Sequence, residues 1–590
     1  MSIARLNKVT FVGLTEDRER LLQDLQNLGC LHIEPLAPES ETPATAVGPS
    51  GGAREALQFL REYPHRRRQS RDISRFDALE IEGKTLDVRR RLLALTDERD
   101  FLIKRIQDMR PWGDFAFSPL QEMGNLRFWF YVVPHRDMPR VAELGLPYQI
   151  IKKDNRSNYV VVISESEPEG MPVNRTHIGY QPRHVLEALL EDVELAIEDV
   201  QAERAYLTRW YTLLKDNIAT LEDQAALTAA LNQTYTRHEM FGLLGWAPQD
   251  RLPQLTDYAR RHRVHIDSRE AEPEENPPTY LENPSWLSAG EDLVNFYMTP
   301  GYRTWDPSPV VFISFALFFA MILADAGYAL LLGILLLFFW RKMGASRAGR
   351  RFRPLCLTIV VLSLLYGMLI GSYFGIAPPG GTPLAALHVL DMSNTNLMMA
   401  ISVFIGCIHV ILGASMDAMR HKNPIEGLES VGWACVVTAG LVFLISTAYA
   451  PGVLKPLSVL LAGAGALLVL LFAAPYDKPL SRLLKGLLGL TKVTGAFGDV
   501  LSYLRLFALG LASGALALEF NRMTTSIYDA MPGVGIVFGF LVLLLGHTVN
   551  LVLGLASAVI HGLRLNVIEF FNWGLKEEGW QFKPFRRNER

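Results

Sequence analysis

Cysteine is scarce and scattered. The four residues Cys30, Cys356, Cys407 and Cys435 form no C-x-x-C pair, so neither a disulfide framework nor a zinc site is indicated. An excess of one charge is missing too: 58 Lys and Arg face 61 Asp and Glu, a formal net charge of -3. Nucleic-acid binding therefore has no electrostatic support. The stretch from Met1 to Lys8 lacks the apolar core of a secretory signal, which predicts a cytoplasmic location for the chain up to about Asn295. A nucleotide site is not expected either. Gly83-Lys84-Thr85 has the ending of a phosphate-binding loop, but Ala78 stands where the first glycine belongs and no strand leads into it.

The 49% apolar content is unevenly spread. The first half is charged and mixed. Lys8 to Leu14 alternates like a strand, Glu16 to Leu28 has helical spacing ended by Gly29, and Cys30 to Glu34 is strand-like again. Arg127 to Ser164 repeats the style with a strand, a short helix and two strands. From Arg183 to Thr236 a heptad runs through Leu186, Leu190, Val193, Ile197, Val200, Arg204, Leu207, Tyr211, Leu214, Ile218, Leu221 and Ala225. Gly83 to Met109 can supply its partner through Leu92, Leu95, Leu102, Ile106 and Met109. The expected cytoplasmic domain, 1–300, has α/β lobes near 1–50 and 112–180, a long antiparallel helical hairpin from 51–111 and 183–236, and a distal lobe at 237–270, in the manner of a dumbbell. An ordinary helical bundle is the alternative. The basic cluster His65-Arg66-Arg67-Arg68 reads as a solvated face or loop.

The second half, 301–590, is a series of apolar runs: 309–340, 354–376, 396–416, 428–448, 456–473, 497–528 and 534–571. Basic loops follow Trp340, Met419 and Asp477, whereas 377–395 and 531–535 carry no Lys or Arg. By the positive-inside rule the former are cytoplasmic and the latter outside. One run then separates two cytoplasmic segments. A helix of that length would be ~48 Å long, against a hydrocarbon core of ~30 Å. A turn at Ala324-Asp325-Ala326-Gly327 resolves the parity by making two short spans; one tilted helix reaching beyond the membrane is the competing reading. The expectation is an all-α transmembrane domain of about eight helices, the last two long and tilted, with both termini cytoplasmic. Leu480 to Thr494, amphipathic and basic, reads as a surface helix.

Arg505 sits within the apolar stretch Ser502 to Ala512, with no acid close by in the chain. A guanidinium stays charged, and holding it in a bilayer costs at least ~2.5 kcal/mol. Its partner must lie outside its own helix, unless the side chain snorkels to the interface. Arg564 lies on the following apolar segment. Counting from the turn at Met531-Pro532-Gly533 places the two arginines within roughly 8 Å of the same depth on antiparallel helices.

The string Ser502-Tyr503-Leu504-Arg505-Leu506 with Ala508, Leu509 and Ala512, and His561-x-x-Arg564-Leu565 with Glu569, resemble the membrane stator subunit of V-type and archaeal A-type rotary ATPases, called subunit a in eukaryotes and subunit I in prokaryotes. Trp305-Asp306-Pro307, Phe318 to Met321, Asp325 to Tyr328, Leu365-Tyr366-Gly367, Gly371 to Gly375 and Met240 to Pro248 extend the resemblance in the family's order. The compact length is similar to the prokaryotic form. The resemblance implies a non-catalytic subunit beside a ring of small c/K subunits, each with an essential carboxylate, coupling H⁺ or Na⁺ movement to ATP made or hydrolysed elsewhere. It implies that Arg505 faces the ring and that Arg564 supports it. It further implies peripheral-stalk E/G-type and central-stalk d/C-type partners, a prokaryotic plasma membrane, and no cofactor or metal. His561 and Glu569 match the family pattern. Ser513 and Gly554 depart from eukaryotic members, which carry a histidine and an acid there, so Glu519, His547 and Asn550 are the candidates to restore that polarity to the ion path. Asn521, Ser557, Asp325, His409, Asp417, Glu426 and Glu429 are further polar residues in apolar surroundings. The different-class alternative is a secondary transporter or channel with a cytoplasmic regulatory domain, against which stands the lack of a clear internal repeat.

Overall fold

The computed structural model describes residues 3–36, 51–70, 72, 75–115, 126–179, 181–421, 423–448, 451–531, 533–575 and 577–587. Parts of two expected lobes (37–50 and 116–125), Lys422 of a basic loop and Pro532 of the last turn lie outside them. The chain divides into two units, 12–243 with 585–590, and 1–11 with 244–584.

The unit spanning 12–243 begins within strand β1 (Leu6–Leu14), which leads to helix α1 (Arg18–Leu28), where Leu21, Leu22 and Leu25 are buried. Gly29, at φ 64°, closes α1 in the left-handed conformation that glycine adopts without strain. After β2 (His32–Glu34) come α2 (Gly51–Arg61) and α3 (Ala78–Met109), the latter capped by the Asp77 side chain, which accepts from Leu79 and Glu80 N–H. The sheet of β3 (Arg127–Pro134), β4 (Tyr148–Lys153) and β5 (Ser157–Ser164) is antiparallel in the order β3-β5-β4, with Arg127 opposite Ser164 and Pro134 opposite Ser157. Its strict alternation buries Trp129, Tyr131 and Val133 on one face, beside Val141 of α4 (Met138–Glu143), and Phe130 on the other, beside Trp112.

Helix α5 (Arg183–Leu207) packs antiparallel to α3: Leu102 and Met109 meet Leu186 and Val193, while Ile81 and Val88 meet Leu207 and Trp210. The expected hairpin is present, but its second arm is not one helix. It breaks at a 3-10 turn, Thr208–Trp210, and at Asn217, giving α6 (Tyr211–Asp216) and α7 (Ile218–Gln233). The Thr208 hydroxyl donates to the Ala205 carbonyl and accepts from Arg67 N–H, and the Asn217 amide donates back to Leu213. Such side-chain bonds compete with the helical ladder. Arg204, polar within an apolar seam, lies over the Phe59 ring of α2 at 3.8 Å. Residues 65–68 are exposed, as expected. Strand β6 (Tyr235–Arg237) forms a hairpin with β7 (Met240–Pro248).

In the unit containing 244–584, α8 (Leu252–His262) precedes β8 (His265–Glu270), which pairs with β1. Then follow α9 (Ser288–Tyr297), α10 (Ser308–Leu323), α11 (Ala326–Met343), α12 (Arg347–Ile370), the short α13 (Pro383–Ala386), α14 (Thr395–Arg420), α15 (Pro424–Ala448), α16 (Pro451–Phe472), α17 (Pro479–Leu490), α18 (Val493–Leu501), α19 (Leu504–Ala530), α20 (Gly535–Arg564), a π-helical turn Leu565–Phe570 and α21 (Phe571–Gly574). Among the described residues, seven helical segments are long and apolar enough to cross a membrane; α10, with 16 residues, is shorter.

The apolar run 309–340 is two helices, divided at Ala324 (φ 49°) and Asp325. They run in opposite directions along α12. Arg351, at the start of α12, bonds Glu291 and Asp292 of α9, whose Gly290 lies against Ser308 at the start of α10. Arg353 bonds the carbonyl of Trp340, near the end of α11. At the other end of α12, Gly367 touches the backbone of Asp325 and Ala326. Chain direction thus reverses at Asp325. Twelve of the sixteen residues of α10 are buried, against α9, α12, α19 and α20. Segments flanking the whole helical array also meet, for Pro300 bridges Glu578 and Phe582 N–H reaches Thr279.

Two outcomes follow from this packing. Any Cβ at Gly367 would overlap the Ala326 nitrogen, so Gly367→Ala should lower stability by about 1–3 kcal/mol, read as the thermal midpoint in detergent. Glu275 accepts from Lys8 (2.9 Å), Arg269 (2.6 Å) and Glu272 N–H (3.0 Å). These bonds, that from Lys8 foremost, hold its carboxyl at about 2, below the ordinary 4.5. A depressed carboxylate stabilises above its unfolded value and loses that contribution as pH falls through the folded one. The thermal-midpoint gap between the native chain and Glu275→Gln should therefore be fully open above about pH 5 and close progressively toward pH 2.

Candidate functional site

Arg505 lies in the first turn of α19, directly after the break between α18 and α19. That break is anchored by Tyr503, fully buried, whose hydroxyl is 2.7 Å from His409 Nδ1 on α14. The imidazole stacks on Phe570 at 4.2 Å, and Gly406 leaves room for the Tyr503 ring. A buried tyrosine needs such a polar partner, and this pair fixes the backbone two residues before Arg505.

The partner that α19 does not supply comes from beyond α20. After Arg564 the chain makes the π turn Leu565–Phe570, which buries Asn566 and Glu569. Asn566 bonds the Ser314 hydroxyl of α10 and donates to Gly562. Single π turns inside α-helices re-aim side chains and recur at functional sites. Here Glu569, 2% exposed, presents Oε1 3.8 Å from Arg505 Nη2 and 3.8 Å from Arg564 Nε. Both separations exceed hydrogen-bond length. Two guanidiniums thus share one carboxylate, with a surplus of positive charge, and Arg505 Nη1 is buried without a hydrogen-bond partner. His561, one turn before Arg564, lies in the field of both cations.

The other candidates divide. Glu519 is exposed and paired with Arg522 at 2.8 Å, an ordinary i,i+3 surface pair. His547 and Asn550 come together with residues from α11 and α19. Tyr328 Oη is 2.7 Å from His547 Nδ1 and 3.0 Å from Asn550 Nδ2; His547 Nε2 is 3.0 Å from Asn521 Oδ1; Asn550 also donates to the Ser513 carbonyl. Asp325, 2% exposed, accepts from Tyr328, Phe374 and Gly375 N–H and from the Ser372 hydroxyl. Ser513 is eight residues beyond Arg505 on α19, ~12 Å along the axis. Asp417, also expected near a helix end, is buried against Ser430 and Arg420.

Tyr328 and Tyr503 were not among the sequence candidates. The available signal was a large amphipathic ring within a motif otherwise apolar, three residues after the Asp325 cap in one case and two before Arg505 in the other.

Residues 174–370 match the model of the V-type ATPase 116kDa subunit family. Over the whole length, the chain is 24% identical to the V-type ATP synthase subunit I of Borreliella burgdorferi, covering 99% of each. It is 25% identical to the V-type ATP synthase subunit I of Chlamydia pneumoniae over 86% of each, and 29% identical to the A-type ATP synthase subunit I of Methanocaldococcus jannaschii over 68% of this chain and 64% of that one. A crystal structure of the cytoplasmic N-terminal domain of a subunit I, homolog of subunit a, of V-ATPase aligns over 45% of this chain and all of that one, at 17% identity and a TM-score of 0.21, too low for an argument about fold. With apolar helices in number and relatives of both V and A type along its length, this multi-pass membrane protein is similar to the V-type and A-type ATP synthase subunits I, and its residues 174–370 match the V-type ATPase 116kDa subunit family.

Proposed function

We propose that the chain is the non-catalytic stator of a rotary V/A-type ATPase membrane sector, forming ion half-channels beside a ring of c/K subunits. The observation that carries this reading is the convergence of Arg505 and Arg564 on the single carboxylate of Glu569. A ring carboxylate in lipid favours its neutral, ion-loaded form; opposite a fixed guanidinium the ionised form is favoured. Passing Arg505 therefore strips the ion. Glu569 tempers the cation pair without neutralising it, and at 3.8 Å no hydrogen bond has to break when Arg505 turns to a ring acid. The outward sides of α19 and α20 expose Leu511, Val552, Leu553 and Ile560, a surface suited to apolar ring helices. His561 lies beside the arginines, while His547 and Asn550 line the route on the opposite side; Glu519, exposed and paired with Arg522, stands outside it.

Eight crossings, α10, α11, α12, α14, α15, α16, α19 and α20, give an even count that leaves both termini in the cytoplasm of a prokaryotic plasma membrane. The reversal at Asp325 and the pairing of Pro300 with Glu578 support that count. The N-terminal half, lobes on a helical hairpin in the dumbbell reading, takes the torque by binding peripheral-stalk E/G-type subunits and meets the central-stalk d/C-type subunit.

In vesicles holding the complete complex, Arg505→Ala should abolish ATP-driven ion uptake while the detergent-released head still hydrolyses ATP. Normal pumping by that variant would reject the reading. Glu569→Gln, which leaves the partly buried Arg505 and the half-exposed Arg564 without the anion between them, should destabilise the membrane sector by about 1–3 kcal/mol, measured as a lower thermal midpoint.

A further inference from the structure

The polar cluster at the break between α10 and α11 admits one set of hydrogen-bond directions. The Asn521 amide donates to the Phe374 carbonyl (2.8 Å), so its Oδ1 faces His547 and accepts from Nε2–H (3.0 Å). A neutral imidazole then presents a bare Nδ1, which accepts the Tyr328 hydroxyl proton (2.7 Å). The Tyr328 oxygen accepts in turn from Asn550 (3.0 Å), whose second amide hydrogen goes to Ser513 (3.0 Å). Partly exposed Asn521 forms one end of this chain and Asn550, 2% exposed, the other.

We infer that the ion passing this point is a proton, relayed between the Tyr328 hydroxyl and His547 Nδ1 as part of the outer half-channel; the inference rests on the stator reading. A hard cation requires a cage of oxygens, and here amide N–H groups and an imidazole stand in those places. Among the described residues the carboxylate at hand, Asp325, is committed to the hydrogen bonds that hold the helix break. For outward flow, a proton delivered by water to the Tyr328 oxygen releases the hydroxyl proton to Nδ1; the imidazolium then turns about its Cβ–Cγ bond and gives that Nδ1 proton to water on the far side. One proton enters and one leaves, and nothing is oxidised. The neutral imidazole turns back with Nε2–H retained, as it began, and inward flow runs the same steps in reverse. Glu519, salt-bridged to Arg522, is off this path.

Tyr328→Phe removes one oxygen and retains the ring that packs edge-on against Phe374 at 5.3 Å. His547→Gln keeps a donor and an acceptor but cannot become charged. Each, in reconstituted complete complex, should lose ATP-driven acidification by about tenfold or more, with a changed H₂O/D₂O rate ratio and with assembly and head ATPase activity retained. No ATP-driven ²²Na⁺ uptake should occur with the unsubstituted complex. Acidification at the unsubstituted rate by either variant, or Na⁺ uptake that persists with an uncoupler, would overturn the relay. If Tyr328→Phe fails to assemble, His547→Gln decides. Arg505→Ala run in parallel separates the two ideas: if it pumps, the stator reading fails and the relay with it; if it is inactive while Tyr328→Phe and His547→Gln pump normally, the relay alone falls.

Discussion

A guanidinium surrounded by apolar helices keeps its charge in any case, so nearby groups must make that charge tolerable, and the amount of compensation decides what the site can do. A close bidentate carboxylate for each arginine would leave an inert ion pair. No carboxylate at all would drive the side chains toward the interface. Glu569 stands between these limits: its position on a π turn lets one acid serve two cations at a distance too long for hydrogen bonding. The remaining positive field is available to a visiting anion.

That balance depends on packing well away from the charges. Helix α10, too short to need a lipid face, is enclosed by its neighbours and touches both polar clusters. Its Ser314 holds Asn566 in the π turn that aims Glu569, and its C-terminal break holds Asp325 and, through it, Tyr328. Asp325 is a buried carboxyl with no cation bonded to it among the described residues, satisfied by four hydrogen bonds from the loop after α12 and from α11. On the other side His409 and Tyr503 set the start of α19. The depth of Arg505 is therefore fixed by the His409 side chain on α14, which holds Tyr503, and by the packing of α10, not by its own side chain.

Much of this was legible in the chain itself. The excess length of run 309–340 over a bilayer core, with basic loops that demanded even parity, located a reversal at Asp325. Heptad spacing identified α3 and α5 as partners, and counting from the last turn brought Arg505 and Arg564 to one level. Other features have no one-dimensional trace. Apolar content cannot tell a helix facing lipid from one facing protein, so α10 and α11 look alike while one is enclosed and the other exposes Leu337 and Phe338. The heptad continued through Thr208, where side-chain bonds to the loop at 67–69 break the helix. Glu519 was the more conspicuous residue for its charge, yet a neighbour three residues on had already engaged it. Tyr328, uncharged and within a motif, becomes conspicuous only when α11 and α20 are brought together.

The two polar clusters follow opposite rules, and their separation along α19 makes sense of this. Around Glu569 cations outnumber hydrogen-bond acceptors, and the arrangement favours ionised acids. Around Tyr328 every donor has an acceptor, formal charge is confined to a fully hydrogen-bonded Asp325, and the arrangement favours transfer within a neutral chain. Under the proposed stator reading, two cationic clusters would leave the outer one repelling the ions that reading sends past it, and two neutral ones would leave nothing to strip an ion from an acid in lipid. About two turns of helix, Arg505 to Ser513, keep the strongly positive site from dictating protonation in the neutral one. Across that interval α19 places Gly510 against Met321 and Ala324 of the α10 break, so the spacing between the clusters is set by close backbone packing that a larger residue would disturb.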